Sequence, residues 1–591
     1  MREYNHFEEG CADGNTSTSV LTKQLGDPNS KIIITTIQKL NIFIKKHKQH
    51  EIYDKHVVMI FDECHRGQFG KNHNEITRAF KKYHIFGFTG TPIFSDNAMV
   101  GKEKKLMTTL EVFGVRLHEY TIIDAIKDEN VLPFKVDYIS TMKEQEYVKD
   151  EQVYDINREK ALLAPQRVTN VVNYIVDKFD RKTKRDASSF DFNTILNVAE
   201  VVKSYKDNEV KEIKESRRTK GFNAIFATAS IPAAKAYYTE FKKKFESEPG
   251  RALKIATIYS YGVNEDEDVP NGILGDENSD SAEALKKPDR DFLESAIKDY
   301  NKMFKTNYST SGEEFQNYYK DVSLRMKNKE LDLLIVVNMF LTGFDATTLN
   351  TLFVDKNLRY HGLIQAFSRT NRILNSVKKY GNIVCFRNLE DNVNKAVSLY
   401  SDRNSNGIVI IRKFDDYYNG YTDDKGKDHL GYKDIVSKLQ DKFSLEQPEF
   451  VGEKVQKEFI SLFGSFLRMT NLLSSFDDFE GKEILTKREI QDYTSRYQDL
   501  YDKYNPKGPD GETVDIVDDV IFEMELIKQV DINIDYILLL IKKYSEGNCK
   551  DKELHSDIIN SVKSSPELRS KRQLIEDFIA SLNESEDVVA A

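Results

Sequence analysis

Residues 57–66 read Val-Val-Met-Ile-Phe-Asp-Glu-Cys-His-Arg. This run of β-favouring apolar residues predicts a buried parallel strand with Asp62 and Glu63 at its tip. Parallel strands are covered on both faces, and ligands bind at their carboxyl ends. There, Asp62 can hold Mg²⁺ through water, and Glu63 can orient or deprotonate an attacking water, as in nucleotide-hydrolysing domains. The alternative interpretation is a surface turn after an ordinary core strand.

Two further apolar strands end in short loops that contain glycine. Residues 86–92, Phe-Gly-Phe-Thr-Gly-Thr-Pro, run into Thr89-Gly90-Thr91. Residues 333–345, Leu-Leu-Ile-Val-Val-Asn-Met-Phe-Leu-Thr-Gly-Phe-Asp, open into a loop that contains Gly343 and Asp345. Small residues let a backbone approach a phosphate closely. Both loops therefore favour a phosphate site at the ends of parallel strands.

A fourth block is basic. Residues 365–372, Gln-Ala-Phe-Ser-Arg-Thr-Asn-Arg, place Gln365, Arg369 and Arg372 at spacings of three to four, which predicts one face of a helix. Two guanidinium groups on one face suit a phosphate that gains charge in a transition state. A solvated basic helix face is the alternative for this block alone, but four blocks in this order favour a nucleotide-hydrolysing domain.

Together these blocks resemble the restriction (R, motor) subunit of type I restriction-modification enzymes, which are superfamily 2 helicase-like motors. The stretches that carry the resemblance are 35–40, 62–70, 119–126, 222–230, 339–345 and 365–372. The resemblance spans roughly the whole chain and is strongest through residue 390. It implies an α/β fold of two RecA-like parallel-sheet lobes, the first truncated, followed by an all-α carboxyl-terminal domain. It also implies ATP and Mg²⁺ as cofactors, and double-stranded DNA and the modification (methyltransferase) and specificity subunits as partners.

The same resemblance assigns roles to individual side chains. The implied catalytic residues are Asp62, Glu63, Arg369 and Arg372, with Asp62 holding Mg²⁺ through water. The implied ATP-binding residues are Gly343, Asp345 and Gln365, and Thr89, Gly90 and Thr91 would couple the ATP site to DNA. The implied DNA contacts are Thr35, Thr36, Gln38, Thr228 and Ser230. Phosphate contacts carry no sequence information, so we expect a sequence-blind motor with target choice left to another subunit.

Two parts of that family are missing from the sequence. It contains no Gly-x-x-x-x-Gly-Lys-Ser/Thr, the P-loop that cradles nucleotide phosphates. It also lacks the amino-terminal nuclease domain, since Glu103-Lys104-Lys105 fits a nuclease site only superficially and predicts a solvated turn. We therefore expect a carboxyl-terminal portion that is inactive alone, with a separately encoded amino-terminal portion as a candidate partner. Two alternatives stay open: another superfamily 2 DNA or RNA translocase, and a non-catalytic assembly fragment.

Composition sets broad limits. The chain has 591 residues, enough for three or four domains, and a net charge of −10, which does not by itself indicate nucleic-acid binding. A DNA motor needs only a local basic groove, however. The four cysteines have no pairing or metal-ligand spacing and suit a reducing cytoplasm. No signal peptide or membrane-spanning run is evident, so we expect a cytoplasmic protein.

Composition shifts along the chain predict four segments. These are a partial first motor lobe (1–140), a charged, partly helical connection (141–220), a second motor lobe with an acidic insertion (221–434), and a helical domain (435–591). We expect the basic cluster 181–185 to be a solvated face rather than a DNA contact. The acidic insertion after Tyr259 predicts a mobile loop, with a metal site as the alternative. An aromatic stripe from Phe459 to Phe476 predicts helical core, and residues 536–541 predict an apolar helix.

Overall fold

The structure is a computed structural model that forms two compact units, residues 1–121 and 122–591, and each is described by itself. The described residues are 12–14, 17–65, 71–95, 97–98, 108–139, 162–185, 189–203, 210–259, 285–375, 377–400, 409–422, 428–445, 450–474 and 476–504. The acidic insertion, Glu103-Lys104-Lys105 and the predicted helix 536–541 lie outside these residues.

The first unit alternates strands and helices. Its elements are β1 (Ala12–Gly14), α1 (Thr18–Gly26), β2 (Ile32–Ile34), α2 (Ile37–Lys46), β3 (His56–Phe61), α3 (Lys71–Ala79), β4 (Lys82–Gly87) and α4 (Thr109–Phe113). β1 pairs with β2 and β3 pairs with β4, both in parallel. Parallel pairing with intervening helices confirms the predicted α/β class.

The β3–β4 sheet is apolar on both faces, but only one face is covered by the described residues. Met59 and Phe61 are buried in a core with residues from α1, α2 and α3. On the opposite face Val58 is 54% exposed and Ile60 is 63% exposed. Phe86, which lies beside Ile60 in the register, is exposed as well. The prediction of a parallel strand is therefore correct, whereas the predicted burial holds for one face only.

The second unit is built on a six-stranded parallel sheet in the order β5-β12-β11-β8-β10-β9. The strands are β5 (Phe134–Tyr138), β8 (Asn223–Thr228), β9 (Ile255–Ile258), β10 (Leu333–Val336), β11 (Leu349–Asp355) and β12 (Gly381–Cys385). Every residue of the five strands from β8 to β12 is buried. This explains their continuous apolar sequences, because helices cover both faces of such a sheet.

Helices and one hairpin precede, connect or follow the strands of this sheet. The helices are α5 (Ile122–Lys127), α6 (Pro165–Lys182), α7 (Val198–Lys203), α8 (Ile231–Ser247), α9 (Lys287–Phe304), α10 (Gly312–Lys327), α11 (Tyr360–Phe367) and α12 (Glu390–Tyr400). The hairpin consists of β6 (Ser189–Ile195) and β7 (Lys214–Lys220), which pair in an antiparallel manner.

The structure differs from the predicted segment boundaries before residue 220. β5 pairs with β12 in the second sheet, with Phe134 opposite Gly381, although the predicted boundary at residue 140 would place this strand in the first lobe. α6 lies in the predicted connection, yet its carbonyl at Lys182 accepts hydrogen bonds from Thr351 Oγ1 at 2.8 Å and Asn382 Nδ2 at 3.0 Å. The strand and the helix are therefore parts of the second unit.

The basic cluster 181–185 is largely buried, so the prediction of a solvated face is wrong. Lys182 lies between two carboxylates, with Nζ 2.8 Å from Asp137 and 3.1 Å from Asp477. Lys184 Nζ donates to the carbonyl of Asn471 at 3.0 Å. Charge and sequence alone suggested solvent, but buried ammonium groups persist when carboxylates and carbonyls surround them. The cluster connects α6 and the sheet to the helical region that follows.

That helical region comprises α13 (Phe414–Asn419), a short hairpin of β13 (Tyr421–Thr422) and β14 (Asp428–His429), α14 (Tyr432–Lys442), α15 (Glu453–Leu473) and α16 (Lys487–Tyr504). Phe459, Phe463 and Phe466 of α15 are fully buried in one aromatic core. The prediction that the aromatic stripe forms core is confirmed for these residues. In the part of the chain that the structure describes, no helix is long and apolar enough to cross a membrane.

Candidate functional site

The predicted carboxylate pair lies at the carboxyl end of β3. Glu63 has a φ of +47°, and its amide donates to Asp62 Oδ1 at 2.9 Å, so the chain turns sharply after the strand. The Cys64 amide donates to the Phe88 carbonyl at 2.9 Å, and the Phe88 amide donates to the Phe61 carbonyl at 2.8 Å. These bonds hold the ends of β3 and β4 together. As a result, the carboxylates and Thr89-Gly90-Thr91 lie at one edge of the sheet, as predicted.

His65 connects the two motifs. Its Nδ1 lies 2.7 Å from Thr89 Oγ1, 3.5 Å from Thr91 Oγ1 and 3.4 Å from Glu63 Oε2, and the side chain is buried. The Thr91 amide donates to Thr89 Oγ1 at 3.0 Å, which fixes that hydroxyl. The sequence analysis gave His65 no role. Its position two residues after Glu63 was the available signal, because a side chain there can reach the same strand edge.

The carboxylate pair fits Mg²⁺ bound through water. Asp62 is exposed, and one of its carboxylate oxygens accepts the Glu63 amide, so the other is available to an ordered water. Hydrated Mg²⁺ commonly uses one or two carboxylates together with substrate phosphates. Among the described residues, no group of three His, Cys, Asp or Glu side chains could hold a metal ion by itself. The donor set therefore suits a nucleotide-bound Mg²⁺ rather than a structural metal.

In the second unit, the loop after β10 meets the arginines after α11. Gly343 has a φ of +70°, which favours glycine at this turn. Arg369 Nη1 donates to the Phe344 carbonyl at 2.7 Å, and Arg372 Nε lies 3.0 Å from Asp345 Oδ1. The structure therefore brings together four of the predicted site residues, Gly343, Asp345, Arg369 and Arg372.

The two arginines do not share a helix face with Gln365, and this prediction is wrong. α11 ends at Phe367, so Arg369 and Arg372 lie in the irregular segment that follows. Ser368 Oγ donates to the Ile364 carbonyl at 2.7 Å, and Thr370 Oγ1 donates to the Phe367 carbonyl at 2.8 Å. Hydroxyl side chains that bond nearby carbonyls compete with continued helix. Gln365 itself is buried on α11.

The two guanidinium groups differ in their surroundings. Arg369 holds two backbone carbonyls, since its Nε also donates to Gln365 at 3.1 Å. Arg372 is 44% exposed and pairs with Asp345, which is 58% exposed. A surface pair of this kind contributes at most about 1 kcal/mol and opens readily. Arg372 is therefore the arginine better placed to exchange Asp345 for a phosphate, whereas Arg369 braces the loop.

Lys378 binds the backbone at the end of the loop between β10 and β11, and the sequence analysis gave it no role. Its Nζ donates to the carbonyls of Thr347 at 2.8 Å and Leu349 at 2.7 Å. Burial holds the pKa of the Lys378 ammonium well below its usual range, although Asp345 acts in the opposite direction. No motif marks this lysine, because its role depends on carbonyls about 30 residues earlier in the chain.

The predicted DNA contacts differ in how accessible they are. Thr36 Oγ1 caps α2 by accepting the Lys39 amide at 3.3 Å, and Thr35 and Gln38 flank this cap. Ser230 Oγ caps α8 by accepting the Ala233 amide at 3.4 Å. Thr228, however, is fully buried, and its hydroxyl donates to the Val336 carbonyl at 3.0 Å. The structure therefore contradicts a phosphate contact by the Thr228 side chain.

Three family models match the chain. The models are "Type I restriction enzyme subunit R domain 3" over residues 220–388, "Type I restriction and modification enzyme - subunit R C terminal" over residues 409–590, and "SWI2/SNF2 ATPase" over residues 1–170. The first two models match the second unit, and the third model matches the segment that carries the carboxylate pair.

Curated relatives agree with these models. A type I restriction enzyme endonuclease subunit of Staphylococcus saprophyticus is 35% identical over 591 residues, which is 98% of this chain and 57% of the relative. A Mycoplasma pneumoniae protein described as the amino-terminal part of a putative type I restriction enzyme endonuclease subunit is 32% identical over 265 residues, covering 42% of this chain and 68% of that protein. The chain thus spans somewhat more than half the length of the staphylococcal relative. A solved fragment of a putative type I restriction enzyme subunit from Vibrio vulnificus superposes with a TM-score of 0.36 at 15% identity, covering 68% of this chain and 54% of that chain.

Proposed function

The chain belongs to the R (endonuclease) subunits of type I restriction enzymes, and from this premise we propose that it is the ATP-driven, DNA-translocating motor part of such a subunit. The observation that carries the proposal is the cluster around His65 Nδ1, which hydrogen-bonds Thr89 Oγ1 at 2.7 Å and lies 3.5 Å from Thr91 Oγ1 and 3.4 Å from Glu63 Oε2. Through His65, the Glu63 carboxylate, which could orient a water for hydrolysis, is connected to the loop Thr89–Thr91, which could change position after hydrolysis. The comparisons do not favour the two alternatives that the sequence left open.

In the first unit, Asp62 would hold the Mg²⁺ of a bound ATP through water, and Glu63 would orient the attacking water. The metal supplies charge neutralisation at the phosphates. Release of the cleaved phosphate would remove negative charge near Glu63, and His65 would transmit this change because it contacts both Glu63 and the two threonines. Thr89, Gly90 and Thr91 would then pass the change to the DNA-contacting segments.

In the second unit, Arg372 would leave Asp345 and neutralise the γ-phosphate. An arginine in this role contributes about 10³ to 10⁵ in rate. Arg369 keeps the loop that contains Gly343 and Asp345 in place through the Phe344 carbonyl. Gln365 is buried beside this loop and would contact the phosphate or its water only after a local rearrangement.

We place the DNA contacts of the motor at the capped helix starts. Thr35, Thr36 and Gln38 in one unit and Ser230 in the other offer hydroxyls and a side-chain amide at helix N-termini, where phosphates bind favourably. None of these groups reads base edges, so the motor would follow any duplex. Target choice and methylation would belong to the specificity and modification subunits of the complex, and cleavage to a nuclease domain. We expect the assembly in the cytoplasm, where the thiols of Cys64 and Cys385 stay reduced.

The chain alone should hydrolyse ATP negligibly, because its sequence has no P-loop to hold the phosphates. A phosphate-release assay with saturating duplex DNA tests this expectation. Turnover near 1 s⁻¹ or above, which is ordinary for such enzymes, would contradict it. Addition of a polypeptide that carries the P-loop portion of an R subunit should restore turnover.

Glu63→Gln is the decisive variant in the restored protein. It should keep nucleotide binding and abolish hydrolysis, because the amide retains the shape of the side chain but cannot orient water as a carboxylate does. Nucleotide affinity is measured with a fluorescent ATP analogue and turnover by phosphate release. The matched control is Glu111→Gln, a similar change on α4 in the same unit, which should leave turnover unaltered. Unchanged turnover in Glu63→Gln would remove this carboxylate from the mechanism.

A further inference from the structure

The β6–β7 hairpin, called the ribbon below, packs on the rest of the second unit through Phe190 and Phe192, whereas β7 is exposed except at the half-buried Thr219. Phe190 stacks on Phe222 with ring centroids 5.3 Å apart, and both pack against Val377. Successive side chains of a strand alternate between faces, so the residues in step with Phe190 face inward. The outward face therefore carries Ser189, Asp191, Asn193 and Ile195 of β6 and Lys214, Ser216, Arg218 and Lys220 of β7, with Ile195 at one end.

The outward face is locally basic in an acidic protein. It carries three basic side chains, Lys214, Arg218 and Lys220, and one acidic side chain, Asp191, whereas the whole chain has a net charge of −10. Lys214 is matched by Glu212 at 3.4 Å, and on the other face Glu215 lies 2.6 Å from Arg217. Arg218 and Lys220 form no ion pair among the described residues, although Asp191 lies across from Arg218 in the register. Net positive charge is thus left unmatched at the surface.

The ribbon is hydrogen-bonded at both ends. The Asn328 side chain pairs with the Ile195 backbone, accepting from its amide at 2.9 Å and donating to its carbonyl at 2.8 Å. At the other end, Lys329 Nζ donates to the Lys220 carbonyl, and Arg218 Nε donates to Ser189 Oγ at 2.7 Å. A ligand that binds this face would therefore meet a pre-organised surface and would cost little ordering entropy.

The dimensions and chemistry of the face fit duplex DNA. Alternate residues of a strand are about 6.8 Å apart, which equals two rises of about 3.4 Å and so matches every second phosphate along one DNA strand. A two-stranded ribbon also fits the major groove, which is about 12 Å wide. A protein partner would need an apolar or aromatic centre, as interfaces usually have. From Ser189 to Asn193 and from Ser216 to Lys220, the outward face offers only charged, hydroxyl and amide groups.

We propose that the outward face of the β6–β7 ribbon, centred on Arg218 and Lys220, is a second contact of this chain with the phosphate backbone of duplex DNA. The inference rests on the proposed motor function but uses a different surface. The ribbon joins β8 at its first residue, Asn223, whereas Ser230 follows the last residue of that strand. A six-residue strand is about 20 Å long, so the ribbon and the Ser230 contact are separate along the sheet.

The test is a titration of the full chain with fluorescent duplexes of unrelated sequence across a salt series. The ribbon variant is Arg218→Gln with Lys220→Gln, and the charge-matched control is Lys438→Gln with Lys454→Gln on the helical region. Each lost phosphate contact lowers the salt slope by about one, so the ribbon variant should lose about two and bind about tenfold more weakly at 0.1 M salt. The control should match the unaltered chain, and circular dichroism verifies the fold of every variant.

A third variant, Gln38→Ala with Ser230→Ala, separates this inference from the proposed motor contacts. If only this variant weakens DNA binding, the ribbon inference is wrong and the motor contacts stand. If only the ribbon variant weakens binding, the ribbon stands and the motor contacts are misplaced. The absence of any duplex binding at low salt would overturn the ribbon contact. So would tighter ribbon-dependent binding of a poly-glutamate peptide than of duplex, which would indicate an acidic protein partner instead.

Discussion

Replacement of Asp355 by Asn should strongly destabilise the second unit. Asp355 is 1% exposed at the end of β11, where its carboxylate accepts from Arg167 at 2.7 and 3.0 Å, from Tyr237 at 2.6 Å and from Arg387 at 3.1 Å. These partners hold the pKa of the Asp355 carboxyl below its usual range against the opposing effect of burial. The variant removes the negative charge that both buried guanidinium groups face at this position.

The expected loss is about 3–5 kcal/mol, as found when one partner of a buried ion pair is removed. Urea unfolding followed by far-ultraviolet circular dichroism measures it, since the chain has no tryptophan. The control is Asp299→Asn, whose carboxylate pairs with Lys242 at the surface, and which should cost at most about 1 kcal/mol. A loss below about 1 kcal/mol for Asp355→Asn would refute the argument that α6 is joined to the sheet through this network.

The same variant has a predicted pH dependence. Because the folded-state pKa of Asp355 is lowered, its ionisation stabilises the fold fully above the unfolded-state pKa of about 3.9. This stabilisation is lost as the pH falls from there through the folded-state pKa. The difference in unfolding free energy between the unaltered chain and Asp355→Asn should therefore be constant between about pH 5 and about pH 7 and should shrink below about pH 4. A difference that grew on acidification would contradict the assignment.

Further predictions concern the site. Thr228→Val should leave duplex affinity within about twofold in a fluorescence titration, because the hydroxyl is buried, and should cost about 1 kcal/mol in urea unfolding. Lys378→Met should cost about 1–3 kcal/mol in the same assay, since two buried carbonyls lose their donor. In the restored motor, Arg372→Ala should lower turnover about 10³-fold at unchanged stability, whereas Arg369→Ala should lower both, measured by phosphate release and thermal unfolding. His65→Ala should keep basal turnover and lose its stimulation by duplex DNA; retained stimulation would exclude the proposed coupling.

The sequence predicted the ends of the strands well because the chemistry there depends on local order. Asp62 and Glu63 follow β3, and Thr89 to Thr91 follow β4, so parallel pairing alone brings them to one edge. The contact between them through His65 could not be predicted with the same certainty, since it depends on a turn with a positive φ at Glu63. Periodicity also placed Arg369 and Arg372 on a helix that local hydroxyl groups end earlier.

Long-range relations were the main source of error. β5 was assigned to the first lobe because its neighbours in the chain belong there, but it pairs with β12 in the sheet of the second unit. The cluster at Lys182 looked solvated because its counter-charges, Asp137 and Asp477, are distant in sequence. The hydroxyl of Thr228 looked available because its acceptor, the Val336 carbonyl, belongs to another strand. In each case the residue that determines the contact lies on an element distant in sequence, which a local sequence pattern cannot identify.

The pairing of β5 with β12 also limits how early the second sheet can form during synthesis on the ribosome. Phe134 lies opposite Gly381, so the ribosome must add about 250 residues after β5 before its partner exists, which takes about 12 to 50 s at 5 to 20 residues per second. Throughout that interval the edge of β5 that pairs with β12 has no strand partner. After β11 has been synthesised, its edge facing β12 also lacks a partner until β12 emerges. A nascent chain stalled before residue 381 should therefore bind chaperones, and its release should coincide with the emergence of β12.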